Sequence, residues 1–160
     1  MQKITLICVG KLKERHFLAA CAEYEKRLRA FCTLTIQELS EIPMPDRASD
    51  AQVAQALARE AGEIEKKIPR GAVLIPLCIE GELLSSEALA ARMARFAGEG
   101  SASLCFLIGG SNGLSEALKE RGVLRLSLSR MTFPHHLARV MLLEQIYRAF
   151  QIGQGGSYHK

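Results

Sequence analysis

Short apolar runs alternate along this chain with longer segments whose apolar residues recur every three or four positions. The short runs have the length and composition of buried strands, and the longer segments have the period of helices packed on one face. We predict strands over residues 4–9, 33–39, 72–78, 104–108 and 123–127. Strands that alternate with helices form a mostly parallel sheet covered on both faces. The pattern therefore predicts an α/β fold, with residues 1–160 in a single domain.

The helical segments are marked by their apolar stripes and by their ends. We expect helices over residues 14–31, 53–68, 86–97, 115–120 and 134–152. Ser85 is placed to cap the third of these helices, and Gly98 should follow its end. Pro76 has no N–H to donate to a ladder, so we expect it at the end of its strand.

Composition narrows the class of protein. The 160 residues are 48% hydrophobic, which is enough to bury a core, and none of the apolar runs is long enough to span a membrane. The apolar start is too short for a secretory signal, because Gly10 and Lys11 end it. We therefore expect a cytoplasmic protein. A net charge of +4 permits an anionic partner without requiring one.

Five cysteines are spread widely, at positions 8, 21, 32, 78 and 105, and none forms a CxxC pair. Three of them fall within apolar runs, where a free thiol behaves as a small core residue. We expect reduced, buried cysteines and no metal site.

Three loops follow the carboxyl ends of predicted strands, where open α/β sheets bind ligands. They span residues 77–81, 109–113 and 127–134. The second is rich in glycine and lets backbone approach a ligand, but it matches neither a Walker loop nor GxGxxG, and an ordinary strand-to-helix turn has the same composition. The third carries two serines and a threonine that could bind an adenine edge or a ribose, or could simply cap a helix.

The last helix is apolar around more than one stripe, which predicts a surface that a symmetric dimer would cover. A wholly buried central helix is the alternative. Arg139 falls on a polar side of this helix, where it could meet RNA phosphate, and Glu144 and Arg148 are spaced to pair. The glycine-rich tail ends in residues that can stack on a base, titrate near neutrality and meet phosphate: Tyr158, His159 and Lys160.

Three segments resemble a known family: residues 131–139 (MTFPHHLAR), residues 143–150 (LEQIYRAF) and the terminal YHK of residues 158–160. They are similar to the ribosomal RNA large subunit methyltransferase H (RlmH) family, whose members are minimal SPOUT methyltransferases. The segments LIGG at 107–110 and ICVGK at 7–11 also fit, so the resemblance spans the chain. It implies a SPOUT α/β knot, with a C-terminal trefoil, and a homodimer.

The resemblance also implies an activity: methyl transfer from S-adenosyl-L-methionine (SAM) to N3 of a pseudouridine in the helix 69 loop of 23S rRNA, on assembled ribosomes. Carried over by motif, the cofactor site comprises Leu77, Gly109, Gly110, Leu128, Ser129, Arg130, Met131, Thr132, Phe133 and Pro134. Tyr158, His159 and Lys160 become the catalytic candidates, with Tyr158 and Lys160 on RNA. Lys160 could favour the imide anion, and His159 could accept the proton. No metal is implied.

Two positions depart from the family pattern. Many relatives carry Asp and Lys where this chain has Cys78 and Glu82. Side-chain contacts at those positions are therefore not carried over. The sequence leaves three alternatives to an rRNA methyltransferase open: a non-enzymatic ribosome- or RNA-binding α/β protein, a nucleotide-binding enzyme with an unknotted fold, and a SPOUT methyltransferase acting on tRNA.

Overall fold

A computed structural model describes residues 1–155, in which five strands alternate with five helices. The elements, in chain order, are β1 (Gln2–Val9), α1 (Arg15–Leu28), β2 (Cys32–Leu39), α2 (Asp50–Glu65), β3 (Val73–Leu83), α3 (Ser86–Gly98), β4 (Ser103–Ile108), α4 (Glu116–Arg121), β5 (Leu126–Ser127) and α5 (His135–Gly153).

The strands form one sheet in the order β2-β1-β4-β3-β5, and each neighbouring pair is parallel. This confirms the predicted α/β architecture. β1 is hydrogen-bonded on both sides, and its residues from Ile4 to Val9 are buried, as expected of a strand covered on both faces. The order brings the carboxyl ends of β4, β3 and β5 side by side.

Two hydrophobic cores lie on opposite faces of the sheet. On one face, Leu6 and Phe106 pack under α1, α3 and α5. On the other face, Ile7 and Leu107 pack with Ile64 of α2 and Leu118 of α4. Successive residues of a strand point to opposite faces, so neighbouring positions in β1 and β4 supply both cores.

The β3–β5 region differs from the sequence prediction. β3 does not end near Cys78 but continues to Leu83, since it changes partner along its length. Pro76 is the last residue paired with β4, and the following segment pairs with β5 across a register shift between Leu77 and Glu82. The proline therefore ends one ladder rather than the strand. β5 is shorter than predicted, with two residues.

The helices begin largely as expected. The Ser85 hydroxyl accepts the N–H of Ala88, which confirms the predicted cap, and α3 ends at Gly98 rather than before it. In the described part of the chain, residues 1–155, no helix has both the length and the apolarity to span a membrane.

The sequence predicts an exposed apolar side on the last helix, and α5 differs from this prediction. Its apolar residues are buried or half-buried, because α1 and α3 both pack along it. Leu142, Leu143 and Ile146 are fully buried, and rings such as Tyr147 and Phe150 are partly covered. The predicted pair forms, with Arg148 Nη2 2.6 Å from Glu144 Oε1.

Candidate active site

A cavity of about 920 Å³ opens at the carboxyl edge of the sheet. Its walls come from the part of β3 just beyond its pairing with β4, the end of β4 with the glycine loop, the segment that follows β5, and the first turn of α5. This is the edge at which open parallel sheets bind ligands, and the volume lies within the range of small-molecule sites.

The glycine loop after β4 forms one wall, with backbone instead of side chains. A Cβ on Gly109 would lie 2.4 Å from the Gly113 carbonyl carbon, so the tight turn excludes any larger residue. A Cβ on Gly110 would lie 2.8 Å from Glu41 Oε1, and that same oxygen accepts the Ser111 N–H at 2.8 Å. The loop is therefore held from behind by Glu41 and presents its backbone to the cavity.

The β3 wall is an extended strand rather than the expected loop. Leu77, Cys78, Ile79 and Glu80 all line the cavity. Glu80 Oε1 lies 2.6 Å from the ammonium of Lys119, whose side chain is only 14% exposed. The hydrogen bond from Lys119 holds the pKa of the Glu80 carboxyl below its usual range, so the wall carries a carboxylate at neutral pH.

The segment after β5 supplies hydroxyl groups and the long apolar side chain of Met131. The Ser127 hydroxyl lies 2.8 Å from the Ile79 carbonyl oxygen and 2.9 Å from that of Ser129, which ties this segment to β3. Ser129 Oγ accepts the Met131 N–H at 2.9 Å. Met131 lines the cavity and is 74% exposed, so it stands at the mouth.

The first turn of α5 closes the remaining side with His135. A Cβ on Gly10 would come within 2.7 Å of this imidazole, and Gly10 has φ +105°, so glycine is required there on both grounds. Burial first, and then the neighbouring His136, lower the pKa of His135, so the ring is neutral at pH 7. Its Nδ1 is buried with no hydrogen-bond partner in residues 1–155.

The prediction that Arg139 lies on an exposed polar side of the last helix is wrong. The side chain is 4% exposed. Nη1 donates to Glu38 Oε2 at 2.8 Å and Nη2 donates to the Gly10 carbonyl at 3.2 Å. Glu38 comes from a strand far away in sequence, which a helical pattern does not reveal. A guanidinium buried in this way is not available to RNA phosphate.

The same carboxylate also fixes the loop after β1, because Glu38 Oε2 accepts the Leu12 N–H at 2.9 Å. Burial alone would raise the pKa of Glu38, but the Leu12 N–H and the Arg139 guanidinium outweigh it and the pKa is lowered. Arg139 and Glu38 thus join β2, the loop after β1 and the start of α5 directly behind His135. We call this arrangement the Glu38–Arg139 clamp.

The structure brings most of the predicted cofactor residues together. Those that line the cavity are Leu77, Gly109, Gly110, Leu128, Ser129, Met131, Thr132, Phe133 and Pro134. Arg130 is exposed and does not line it. Tyr158, His159 and Lys160 lie outside the described residues, so their predicted roles stay predictions.

Sequence reasoning missed several lining residues, above all Lys119, His135 and His136. Lys119 belongs to the helix directly after the glycine loop, which faces the same strand ends. Its position at the cavity could therefore have been predicted from the sequence. No sequence pattern indicated Glu41, because it contacts the glycine loop from 70 residues away in the chain.

The arrangement suits an organic ligand held by backbone, hydroxyl and apolar contacts. In the stretch that the structure describes, no three His, Cys, Asp or Glu side chains are grouped to hold a metal ion. Flat apolar groups can lie against Leu77, Ile108 and Phe133, and the Glu80 carboxylate, paired with Lys119, offers a hydrogen-bond acceptor.

Comparison with known proteins gives a consistent result. A family model described as "Predicted SPOUT methyltransferase" matches residues 2–159. Three curated proteins, each named ribosomal RNA large subunit methyltransferase H, resemble the chain along its length. The protein from Bifidobacterium adolescentis is 48% identical over 158 residues, covering 99% of both chains. That from Streptococcus equi subsp. zooepidemicus is 46% identical with the same coverage. That from Leuconostoc mesenteroides is 46% identical over 98% of this chain and 99% of its own.

Proposed function

Because this chain belongs to the SPOUT methyltransferase family that includes the ribosomal RNA large subunit methyltransferase H proteins, we propose that it methylates 23S rRNA with SAM as donor. The proposed target is N3 of a pseudouridine in the helix 69 loop, on the assembled ribosome. One observation supports this most directly: nine of the ten predicted cofactor residues line a single cavity at the carboxyl edge of the sheet.

The cavity fits SAM by the chemistry of its walls. The glycine loop and the 128–134 segment offer backbone groups and the hydroxyls of Ser129 and Thr132 to an adenosine. Leu77, Ile108 and Phe133 offer apolar surface to its flat base. A volume of about 920 Å³ leaves space beside the cofactor for part of an acceptor nucleotide.

The bound cofactor supplies a methyl group on a sulfonium, with a neutral thioether as leaving group. Methyl transfer needs alignment, and the residues of this chain provide it by holding backbone walls in one geometry. Neutral His135 adds no positive charge to the cavity, and the Glu80 carboxylate and the Lys119 ammonium line it as an ion pair, so a cationic cofactor would meet no net repulsion from these groups.

The acceptor nitrogen must lose its imide proton before it attacks. We assign this step to the terminal residues Tyr158, His159 and Lys160. The Lys160 ammonium would stabilise the imide anion, the His159 imidazole would accept the proton, and Tyr158 would stack on RNA. These residues would reach the cavity of a partner subunit, and Lys160→Ala should then abolish methylation while leaving SAM binding intact.

We place the homodimer interface on the α1–α5 face, near the C-terminal ends of both helices. Half-buried rings cluster there: Phe31 stacks on Phe150 with centroids 5.8 Å apart and meets Tyr147 at 5.9 Å. A cavity of about 350 Å³ lies farther along α5 toward its N-terminus and has a mixed lining, with Tyr24, Val140 and Met141 beside Ser85 and Gln145. Partly covered rings clustered at one surface are typical of a face that a second copy completes.

Three further features of the proposal follow from family membership: a C-terminal trefoil knot, a single domain over residues 1–160, and action in the cytoplasm, where ribosomes are. The knot and the dimer would together hold the two cofactor cavities in fixed positions.

The test is methyl transfer from tritiated SAM to ribosomes prepared from cells that lack the enzyme. We expect label in 23S rRNA, located by mass spectrometry to N3 of one pseudouridine in the helix 69 loop. Label in tRNA instead would show a different SPOUT substrate. Ribosome binding without transfer would show a non-enzymatic binding protein, and either result would overturn the proposal.

A further inference from the structure

Three rings form a continuous row at the end of the α1–α5 pair that faces the cavity. The centroids of His16 and Phe17 are 4.3 Å apart, and those of Phe17 and His136 are 4.6 Å apart. His135 meets His136 edge-on at 5.0 Å, which connects the row to the cavity wall. We call His16, Phe17 and His136 the ring row.

The ring row is accessible in the part of the chain that the structure describes. His16 is exposed, and Phe17 and His136 are half-buried. The two helices run side by side from this end, so the ring row lies at their N-terminal ends and the proposed dimer surface, with Phe31 and Phe150, lies at the other. The row is therefore separate from the surface assigned to the second copy.

The charge around the ring row favours an anionic partner. The exposed segment directly before it carries Lys11, Lys13 and Arg15 against one carboxylate, Glu14. Within residues 1–155, none of these three cations forms an ion pair. Aromatic faces bordered by free cations are the combination with which proteins bind single-stranded nucleic acid.

From this geometry we propose that the ring row is a stacking site for an unpaired RNA base that flanks the methylated nucleotide, with its phosphate on Lys13 and Arg15. The inference rests on the proposed function and adds a substrate-binding site to it. The methylated base itself enters the cavity, and the base on the ring row fixes the loop from outside.

The experiment measures KM for ribosomes, kcat and the SAM dissociation constant for three variants. Phe17→Leu removes a ring but keeps apolar volume, and His16→Ala removes the exposed ring. His16→Tyr replaces the imidazole with another aromatic ring, so it keeps the stacking face that His16→Ala lacks. Leu18→Ala is the control, since Leu18 is 46% exposed on the same helix and outside the ring row.

Stacking of one base predicts that KM rises about tenfold in Phe17→Leu and His16→Ala. His16→Tyr should return KM to within about threefold of the unmodified protein, and Leu18→Ala should leave it unchanged. Neither His16 nor Phe17 lines the cavity, so the SAM dissociation constant should stay constant in all four proteins.

Unchanged KM in both ring variants, with normal methylation by the unmodified protein, would overturn the stacking site and leave the proposed function standing. A shift of the dimer dissociation constant in place of KM would identify a protein interface and would also overturn it. If the unmodified protein methylates no ribosome, the proposed function fails, and the stacking site fails with it.

Discussion

Cys78 differs from the other cysteines in its surroundings. Cys8, Cys21, Cys32 and Cys105 are buried as predicted, whereas Cys78 is half-buried and lines the cavity. Burial raises the pKa of Cys8 and Cys105 to about 12 and that of Cys32 to about 11, so these thiols are neutral and shielded. Burial and the nearby Glu80 also raise the pKa of Cys78, but this residue is only half-buried and borders the cavity.

We expect N-ethylmaleimide at pH 8 to modify Cys78 first, and SAM to slow the reaction because it covers the cavity wall. Mass spectrometry of the peptides identifies the modified residue, and Cys78→Ser is the control. Faster modification of Cys8 or Cys105, or equal rates with and without SAM, would contradict this placement.

Glu38 should contribute to stability in a pH-dependent way. Its pKa is lowered from 4.5 in the folded chain, so its carboxylate stabilises the fold above the unfolded pKa, and that contribution is lost as pH falls through the folded pKa. The difference in unfolding free energy between the unmodified protein and Glu38→Gln should be constant near neutrality and shrink below about pH 4.5. Urea unfolding across this range measures it, and a difference independent of pH would refute the assignment.

At the scale of the elements, the Glu38–Arg139 clamp connects β2 to α5 over a separation of 101 residues. Without Arg139, the Glu38 carboxylate loses its charge partner. This carboxylate is only partly buried, with its side chain 34% exposed. Arg139→Met should lower the unfolding free energy by about 2 kcal/mol, less than the ~3–5 kcal/mol of a fully buried pair, because water reaches the remaining Glu38 carboxylate. It should also weaken SAM binding, because His135 begins the same helix.

The control is Arg95→Met, which breaks an exposed ion pair with Glu99 on α3 and should produce no measurable change. Equal effects of the two substitutions on urea unfolding would show that the clamp is no more than another surface pair.

The elements also show what a sequence can predict. Strand and helix types followed from periodicity, and the glycine and hydroxyl loops followed from the rule that ligands bind at carboxyl ends. The length of β3 did not, because Leu83 is extended only through pairing with β5. Arg139 was misplaced and Glu41 overlooked for the same reason: each position is decided by a partner distant in sequence.

At the scale of the whole molecule, the half-buried ring cluster on the α1–α5 face predicts a dimer. Sedimentation equilibrium should give twice the chain mass of 17.6 kDa. Phe150→Glu, which places a charge among the rings, should shift the protein toward the single-chain mass with unchanged helical circular dichroism. A single-chain mass for the unmodified protein at micromolar concentration would contradict the proposed interface.

The central claim is that the cavity at the carboxyl edge of the sheet binds SAM, and calorimetric titration of the protein with SAM tests it most directly. We predict one site per chain, and loss of binding in Gly110→Val, because a side chain there would displace the Glu41 carboxylate that holds the glycine loop through the Ser111 N–H. Gly62→Val is the control, since a Cβ at Gly62 meets nothing within 4 Å. No binding by the unmodified protein, or equal binding by Gly110→Val, would contradict the account.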